Sequence, residues 1–492
     1  MKKLIQLGGR GLRYIRKYGL ARLYCKVIER KRRNQAEEGY DAWLTAQLPD
    51  EETERRQKET RFPYEPCISI LVPAYETPET FLRQMIESVL SQSYGKLELC
   101  IADGSPSDKV ERVVREYEEQ DGRIRYRHLT ENLGISDNTN AALTLASGDY
   151  VGLLDHDDLL LPGALFEILR ALNENGGADA VYTDEDKVNM ELTRHFQPHF
   201  KPDYNQEYLR SNNYICHFFV VRRGIALEVG GFREEFDGAQ DHDFIFRCTE
   251  KADRVLHVSK VLYSWRSHEA STATNPESKL YAYEAGKRAV AAHLGRTGRS
   301  GQVQNTENYG FYRVCYPGSP AILKNSLKKF DGQTEVKVVY YDKACNISVT
   351  ISGKERYMLF VHVRNPEKNR IRVQKQFFET LKACCDRPDA GLACARVYDA
   401  GKRLTSDIRM RGVQDPFSDG MKGLKAGYTG YNHRATLQQE LETPTDCFLV
   451  RTDVWKACVP EGGGVSVEEL AANLTASGYH IYYEPWAVMY EG

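Results

Sequence analysis

Short apolar segments that alternate with segments of helical periodicity constrain the fold of this chain more than any other feature of its sequence. Four such apolar segments follow one another, at 67–75, 97–105, 123–129 and 151–154. Between them apolar residues recur every three to four positions, as in "TPETFLRQMIESVLSQ", which predicts helices. Strands that alternate with helices favour a doubly wound, mostly parallel sheet of the α/β class.

The chain length predicts more than one folding unit. Its 492 residues exceed what one ordinary hydrophobic core supports. We expect a basic helical extension with an acidic linker at 1–62, a first α/β domain at 63–300 and a second at 301–492. No apolar run approaches the roughly 20 residues of a membrane-spanning helix, and the amino terminus has no apolar signal core. Twelve cysteines without a Cys-x-x-Cys pair favour a reducing compartment, so we predict a cytoplasmic protein.

Positive charge is concentrated at the amino terminus. Residues 1–33 contain 12 Lys or Arg and one acid, Glu29, although the whole chain has a net charge of -2. Apolar residues from Leu12 to Ile28 recur at roughly helical spacing in the same segment. This pattern predicts a basic amphipathic helix in peripheral contact with an anionic membrane face; the alternative is a solvated helix packed on the main domain. Nucleic-acid binding is not expected, because the basic residues occupy one end and no reading motif follows.

An acidic segment follows the fourth apolar run, with Asp155, His156, Asp157 and Asp158 in succession. Ligands of doubly wound sheets bind beyond the carboxyl ends of the strands, where 73–76 and Asp103 also fall. Two carboxylates at Asp-x-Asp spacing suit Mg²⁺ or Mn²⁺. No Gly-x-Gly-x-x-Gly or Walker-type loop is present, so the phosphates of a bound nucleotide would need a metal ion.

Three sequence blocks resemble those of family 2 glycosyltransferases, the inverting GT-A type. They are "ISILVPAYETPETFLRQMIESVLSQSYGKLELCIADGS", "ENLGISDNTNAALTLASGDYVGLLDHDD" and "GGFREEFDGAQDHDFIFRCTEKADRVLHV". The resemblance covers about residues 65–295. "YTDEDKV", "HFKPDYNQEYLRSNNYICHFFVVRR" and "VLYSWRSHEAST" are similar to bacterial members that build rhamnose-containing or other surface polysaccharides. The resemblance implies a GT-A fold, with a Rossmann-like sheet, and a nucleoside-diphosphate sugar as donor.

The resemblance also implies roles for individual residues. Asp157 is the expected direct ligand of Mn²⁺ or Mg²⁺, and Asp155 the ligand nearer the ribose. The late histidine of such enzymes corresponds to His268, near the metal ion and the diphosphate. Asp103 would accept a hydrogen bond from the pyrimidine, although Ala102 replaces a second acid that many relatives have. The remaining positions expected to bind the nucleotide sugar are Pro73, Ala74, Tyr75, Glu76 and Gly134.

The catalytic base is expected in "AQDHD", where Gln240 replaces the first acid of the family pattern and Asp241 keeps the second. An inverting transfer needs one carboxylate to take the proton of the acceptor hydroxyl. Asp243 is the alternate base, and a simple N-cap is the alternative role for Asp241. Asp184 or Glu185 is expected to contact the donor sugar or the acceptor. Trp265 either stacks on a sugar ring or belongs to the core.

The carboxyl-terminal half contains shortened copies of three earlier segments. Residues 446–463 resemble 216–231, 356–365 resemble 149–158, and 336–344 resemble 97–105. We therefore predict a second, degenerate GT-A-like domain. At the metal position it has His362, Val363 and Arg364 in place of carboxylates, and it retains Glu468 and Glu469 near the base position. Such a domain is expected to be non-catalytic and to serve for dimerisation or for acceptor docking.

Together these features predict a metal-dependent inverting glycosyltransferase that uses dTDP-rhamnose or a UDP-sugar. Its acceptor would be a growing surface glycan, lipid-linked at the cytoplasmic membrane face. A nucleotidyltransferase would need a Gly- and Arg-rich loop after the first strand, and "VPAYETPET" is not one. A haloacid-type phosphatase would have its Asp-x-Asp after the first strand, whereas "DHDDL" follows the fourth. A non-catalytic glycan-binding or scaffold subunit is the remaining alternative.

Overall fold

The computed structural model describes residues 15–16, 19–267, 280–317, 335–343, 346–351, 354–362, 371–374, 376–418 and 420–491. Its α-helices are α1 Leu20–Ala36, α2 Tyr40–Gln47, α3 Glu51–Glu59, α4 Glu79–Leu90, α5 Lys109–Glu118, α6 Ile135–Leu145, α7 Ala164–Glu174, α8 Gln206–Ser211, α9 Arg223–Glu228, α10 Gln240–Lys251, α11 Leu280–Arg296, α12 Phe377–Cys385, α13 Thr452–Cys458 and α14 Val467–Ala476. Two short 3-10 helices are Glu234–Phe236 and Tyr431–Thr436.

The strands form two large sheets and one two-stranded sheet. They are β1 Ile68–Ala74, β2 Leu97–Asp103, β3 Ile124–His128, β4 Tyr150–Leu153, β5 Leu159–Leu160, β6 Ala180–Asn189, β7 His195–His199, β8 Phe219–Arg222, β9 Val255–Ser267, β10 Gln302–Asn305, β11 Tyr312–Cys315, β12 Val336–Tyr341, β13 Tyr357–His362, β14 Arg372–Val373, β15 Ala390–Tyr398, β16 Gln439–Glu440, β17 Cys447–Arg451 and β18 His480–Tyr490. The predicted α/β class, with two sheet-containing parts, is confirmed.

The first sheet combines a parallel half with a mixed half. Its order is β3-β2-β1-β4-β8-β6-β9-β5, and β7 pairs with β6. The four strands from β3 to β4 are parallel, as the alternation of strands and helices predicts. Beyond them β8 runs antiparallel to both β4 and β6, while β9 runs parallel to β6. The carboxyl ends of β1, β2, β4 and β6 and the beginning of β8 therefore lie along one edge of the sheet.

Buried apolar side chains cover both faces of this sheet. The apolar face of α4 buries Leu82, Met85, Ile86 and Val89 against one side. On the other side α10 packs Phe244 and its apolar neighbours into a second cluster. Fully burying a large apolar side chain contributes about 1.5–3 kcal/mol, so these helices are held mainly by packing. The acids at the sheet edge thus lie on a rigid frame.

The second sheet repeats the strand order of the first. Its order is β12-β13-β17-β15-β18-β14, with β16 paired to β18. The directions in β12-β13-β17-β15-β18 match those in β1-β4-β8-β6-β9. Two of the sequence pairings, β4 with β13 and β8 with β17, agree with these places. The pairing of 336–344 with 97–105 was wrong: β12 lies beside β13, which is the place of β1 beside β4.

The hairpin β10–β11 connects the two large sheets. It follows the predicted boundary at residue 300, but Tyr312 and Val314 are buried in the same cluster as Phe244. Met410 and Leu437, from the second half, join that cluster too. The two sheets therefore share part of one apolar core, and the domain boundaries stay predictions.

The amino-terminal helices lie against both halves of the molecule. Helix α2 buries Tyr40 and Leu44 beside Phe200, and the Tyr40 hydroxyl donates to Asp186 at 2.8 Å. Helix α1 contacts residues 427–431 of the second half through Arg22, Glu29 and Arg33. None of the α1 residues is fully buried.

Two observations concern membranes and cysteines. Among the described residues, no helix combines the length and the apolar character needed to cross a bilayer. The described cysteines, which include all but Cys345, form no disulfide with one another.

Candidate active site

The acidic segment after β4 lies at the edge of the first sheet, and its last member supports it. Asp158 is buried, accepts a hydrogen bond from the Tyr263 hydroxyl at 2.5 Å and another from the Arg266 backbone N–H at 2.8 Å. Burial raises the pKa of Asp158 well above its ordinary value, and Asp157 and Asp155 add to the rise. Asp158 therefore anchors the loop that carries Asp155 and Asp157.

Asp155 and Asp157 occupy the cleft side of this loop. The Asp155 side chain is 44% exposed, and Asp157 is partly buried. Arg266 holds the backbone in place by donating from Nε to the Asp157 carbonyl at 2.6 Å. Burial raises the pKa of Asp155; His217 opposes this rise, and Asp157 adds to it. Two carboxylates held together in this way suit a divalent cation, which would relieve their repulsion.

His217 is the site residue that the sequence did not predict. Its Nε2 lies 3.8 Å from Asp155 Oδ2, and its Nδ1 lies 3.8 Å from Glu185 Oε2. The imidazole stacks on Tyr263, with 4.9 Å between ring centroids. His217 precedes β8, which runs antiparallel to β4, so that the beginning of β8 meets the carboxyl end of β4. His217 lies in the block "HFKPDYNQEYLRSNNYICHFFVVRR", but the resemblance of that block implied no role for it; the strand order brings it to the site.

Asp241 lies in the first turn of α10, close to His217. Its Oδ2 accepts a hydrogen bond from Asn213 Nδ2 at 2.9 Å. Cys216, His217 and Asp241 each offer a donor atom within 4.8 Å of the others. The N-cap of α10 is Ala239, so Asp241 does not have the alternative capping role. The structure therefore brings the predicted base within a few ångströms of His217, the neighbour of Asp155.

Asp243, the alternate base, has a different environment. It is fully buried and accepts hydrogen bonds from Arg233 at 2.6 Å and from Arg247 at 2.8 Å. Both carboxylate oxygens are used in these ion pairs. Asp243 therefore stabilises the packing of α10 and does not face the cleft.

Asp184 and Glu185, two neighbouring acids on β6, have different environments. Asp184 is 1% exposed and accepts hydrogen bonds from His257 at 2.8 Å and from the Lys201 N–H at 2.7 Å. This enclosure contradicts a sugar contact for Asp184. Glu185 reaches His217, and although burial raises its pKa, Lys201 and His199 outweigh that effect and lower it to about 2. The Glu185 carboxylate thus stays charged beside the cleft.

Trp265 lies between the cleft and the core. Its ring centroid is 6.0 Å from that of His217, and Lys187 Nζ lies 5.3 Å from the indole. The ring also packs against the apolar cluster on the α4 side of the sheet. Trp265 thus belongs in part to the core, and its stacking on a sugar ring stays a prediction.

The residues predicted to bind the nucleotide follow β1 and β2. Tyr75 is 46% exposed, and Glu76 adopts a left-handed backbone with φ 47° while its N–H donates to Ser105 Oγ at 2.7 Å. Asp103 is buried and accepts hydrogen bonds from the Tyr126 hydroxyl and the Ser105 N–H, both at 2.9 Å. The contact of Asp103 with the pyrimidine ring of a nucleotide stays a prediction.

Four further residues were predicted to lie in the site. Pro73 and Ala74 end β1 opposite Ala102 and Asp103, so the loop 75–76 begins beside Asp103. Gly134 has φ 91°, and a side chain there would approach Asp237 Oδ2 to 3.1 Å. His268 lies outside the described residues, so its predicted metal contact stays a prediction.

Residues 69–230 match the sequence family described as "Glycosyl transferase family 2". This segment is a glycosyltransferase family 2 domain. The matched range of the family 2 domain contains Asp155, Asp157, Glu185 and His217, whereas Asp241 follows it. The family match agrees with the predicted GT-A fold of the first sheet.

The family 2 domain has relatives of several kinds. The chain is 32% identical to "Uncharacterized protein y4gI" of Sinorhizobium fredii, over 86% of this chain and 53% of that protein. It is 36% identical to "O-antigen biosynthesis protein RfbC" of Myxococcus xanthus, over 58% of this chain and 22% of that protein. The chain thus spans about half of the first relative and about a fifth of the second.

A solved structure is also similar to part of the chain. The complex of S. aureus TarS 1-349 with UDP-GlcNAc is 20% identical, with a TM-score of 0.38, over 46% of this chain and 66% of that one.

Proposed function

We propose that the chain is a metal-dependent inverting glycosyltransferase that transfers a sugar from a nucleoside-diphosphate sugar to a growing bacterial surface glycan. The convergence of Asp155, His217, Glu185 and Asp241 at one sheet edge carries this proposal. Outside a shared site, such a group of close carboxylates would cost stability through mutual repulsion. The family 2 domain supports the reaction class, and the O-antigen relative supports the product class.

Asp155 and Asp157 would hold Mn²⁺ or Mg²⁺, whose bound form would neutralise charge on the departing nucleoside diphosphate. Their carboxylate oxygens are hard ligands; burial raises the pKa of Asp155 and the neighbouring Asp157 adds to the rise, and a bound cation would offset the charge of both carboxylates. His217 is placed to orient the Asp155 carboxylate from its other side. The thiol of Cys216 is a softer donor and is not needed for a Mg²⁺ or Mn²⁺ site.

Asp241 is our candidate base. It would take the proton of the acceptor hydroxyl while that oxygen bonds to the anomeric carbon and the bond from that carbon to the diphosphate oxygen breaks. Asn213 donates to one Asp241 oxygen at 2.9 Å and so fixes the carboxylate for this step. Attack opposite the leaving group gives inversion of the anomeric centre.

The donor we propose is dTDP-rhamnose or a UDP-sugar. The nucleotide would lie along 73–76, with the exposed Tyr75 ring beside the base and Asp103 behind it. Gly134, directly before α6, is a further candidate for a contact with the donor. The acidic Glu185 beside His217 would contact the sugar hydroxyls.

We infer that the second domain is non-catalytic. Tyr150 begins β4 and pairs with Arg222 of β8, and Tyr357 begins β13 and pairs with Arg451 of β17. The two tyrosines therefore hold equivalent positions in the two sheets. His362 then occupies the place of Asp155, and no carboxylate remains there; Val363 and Arg364 lie outside the described residues. Glu469 forms a capping box with Ser466 on α14, which explains that acid without catalysis. Docking of the acceptor is the role we assign to this domain. A homo-oligomer formed through the same domain stays a prediction that light scattering tests.

We also propose that the chain works at the cytoplasmic face of the membrane, where a lipid-linked acceptor would lie. Helix α1 turns its polar side inward: Glu29 accepts the Gly430 N–H at 2.9 Å, and Arg33 lies 5.3 Å from the Tyr431 ring. Leu20, Tyr24 and Val27, spaced along one face, are 68%, 63% and 57% exposed. A basic helix with an exposed apolar face suits an anionic lipid surface.

Thermal shift of the purified chain tests the proposed reaction class. Nucleoside diphosphates and sugar nucleotides are added with and without Mn²⁺, and Asp157→Ala is the matched variant. A ligand that binds the folded state raises the melting temperature by mass action. We expect a metal-dependent rise with dTDP or UDP compounds that Asp157→Ala abolishes. No shift with any nucleotide at millimolar concentration would favour the non-catalytic scaffold instead.

A further inference from the structure

A cavity of about 370 Å³ lies between the β10–β11 hairpin, the amino-terminal part of α1 and the second sheet. It is separate from the candidate active site, because none of Asp155, Asp157, His217 and Asp241 lines it. Cationic and aromatic side chains dominate its wall, namely Arg313, Arg396, Tyr398, Tyr428, Trp486 and Tyr490.

Two arginines give the cavity its positive charge. The Arg313 guanidinium carbon lies 4.6 Å from the Trp486 ring centroid, and Arg396 donates from one terminal nitrogen to the Ala435 carbonyl at 3.3 Å. The Nε atoms of both are buried and have no hydrogen-bond partner in the part of the chain that the structure describes. Buried donors of this kind favour an acceptor-rich ligand.

Nearby acids do not cancel this charge. Glu307 on the cavity wall pairs with Arg22. Burial raises the pKa of Glu484 to about 7, although Arg313 and a hydrogen bond from Gln438 oppose the rise. The raised pKa reduces, but does not remove, the negative charge of Glu484 beside Arg313.

The remaining wall offers flat aromatic surfaces and amides. The rings of Tyr398 and Tyr490 are stacked, with 5.5 Å between centroids. Asn305 and Asn308 line the opposite side. Aromatic faces and planar amides match the apolar C–H faces and the hydroxyls of a saccharide.

Arg396 occupies, in the second sheet, the strand position that Asp184 has in the first. Ala180 lies opposite Val221, and Leu392 lies opposite Val450, at equivalent rungs of the two sheets. Asp184 lies four residues after Ala180, and Arg396 lies four residues after Leu392. The strand position that is acidic in the first sheet is therefore cationic in the second.

The hairpin that lines the cavity is also connected, through a backbone bridge and a side-chain hydrogen bond, to the candidate base Asp241. Phe311, at the end of the hairpin loop that lines the cavity, bridges to Asn212. The next residue, Asn213, donates to Asp241. A glycan that extends from the active site past this hairpin would reach the cavity.

We propose that this cavity binds an anionic segment of the acceptor glycan, with Arg313 and Arg396 recognising a carboxylate or phosphate group. This inference rests on the proposed function for the identity of the ligand. The anionic group has two possible sources, a uronic acid in the glycan or the phosphate of a lipid carrier.

Calorimetric titration of the full chain, without donor or metal ion, tests the proposal. The probes are a hyaluronan hexasaccharide, inorganic pyrophosphate and neutral chitohexaose. We expect an anionic probe to bind and chitohexaose not to bind, with at least about tenfold weaker binding of the anion in Arg396→Gln and in Arg313→Gln, as for loss of a charged hydrogen bond. Hexasaccharide binding would identify the carboxylate source, and pyrophosphate binding the phosphate source.

Arg409→Gln is the matched control, since Arg409 is an exposed arginine of the same half, paired with Asp407. Melting curves establish that both cavity variants fold. Equal affinity for acidic and neutral probes, unchanged affinity in both cavity variants, or no binding of either anion would overturn the proposal. Asp157→Ala should bind the probe normally, so a failure of sugar transfer and a failure of this site give different results.

Discussion

The imidazole Nε2 of His217 lies 3.8 Å from Oδ2 of Asp155. This relationship links a loop before β8 to the predicted metal site, and it makes His217 a positioning residue for the Asp155 carboxylate. Residues that orient a metal ligand typically contribute about 10- to 100-fold to metal affinity or activity. We therefore expect His217→Gln to raise the Mn²⁺ concentration needed for half-maximal turnover by about 10- to 100-fold. His480→Gln, in the second half, is the control and should leave the metal dependence unchanged.

Asp241 and Asp243 are two positions apart on α10, and we expect opposite effects from replacing them. Asp241→Asn should lower kcat about 10²- to 10⁴-fold, because it removes the proton acceptor, and should leave the melting temperature nearly unchanged. Steady-state kinetics with a fixed sugar nucleotide measures the first effect. A variant that retains full kcat would exclude Asp241 as the base.

Asp243→Asn should instead destabilise the fold, since it leaves Arg233 and Arg247 without their buried carboxylate. Removing one partner of a buried ion pair typically costs about 3–5 kcal/mol. Urea unfolding measures the free energy of unfolding of both variants side by side. If Asp243→Asn is as stable as the parent chain, Asp243 does not have the structural role described above.

Glu484 should make the stability of the chain depend on pH. Burial raises its pKa from 4.5 to about 7 in the folded state. Between these values the unfolded chain loses the proton more readily, so stability falls as pH rises, by at most about 3 kcal/mol. We expect Glu484→Gln to match the parent near pH 4.5 and to melt at a higher temperature than the parent at pH 8. A difference in melting temperature that does not change with pH would contradict this.

The exposed face of α1 should bind anionic vesicles. Flotation with phosphatidylglycerol vesicles should recover the parent chain, whereas Leu20→Ser combined with Tyr24→Ser should lower the bound fraction, because the buried apolar area decreases. Leu227→Ser is the control, since Leu227 is 48% exposed elsewhere on the surface. Equal recovery with phosphatidylcholine, or no loss in the double variant, would count against membrane docking through this face.

The sequence predicted the parts of the site that belong to local patterns. Asp155 and Asp157 follow a short apolar run, so their place at a strand end could be inferred from neighbours along the chain, whereas Asp241 was assigned by its resemblance to the family pattern. His217 could not be predicted in this way, because an antiparallel strand from further along the chain brings it to Asp155. The prediction that Asp184 contacts a sugar was wrong for the opposite reason. Its local sequence is typical of a strand end, but His257 and Lys201 enclose its carboxylate.

The second half shows the same limit at the level of topology. Similarity of 356–365 to 149–158 sufficed to identify β13 with β4, since each segment contains one whole strand. The place of β12 depended on which strand it joins, and hydrogen bonding between strands is not visible in a short apolar sequence. The repeated strand order could therefore be recognised only from the hydrogen-bonded pairing of the strands in the structure.

The contacts of α1 also have a consequence for the order of folding. Glu29 binds the backbone of Thr429 and Gly430, and Arg22 binds the Gly427 carbonyl, some 400 residues later in the chain. On the ribosome, helix α1 emerges about 400 residues before its binding surface, which is complete only when residues 427–431 have been synthesised. Docking of this helix is therefore a late step of biogenesis, and a nascent chain truncated before residue 427 would present α1 without these polar partners.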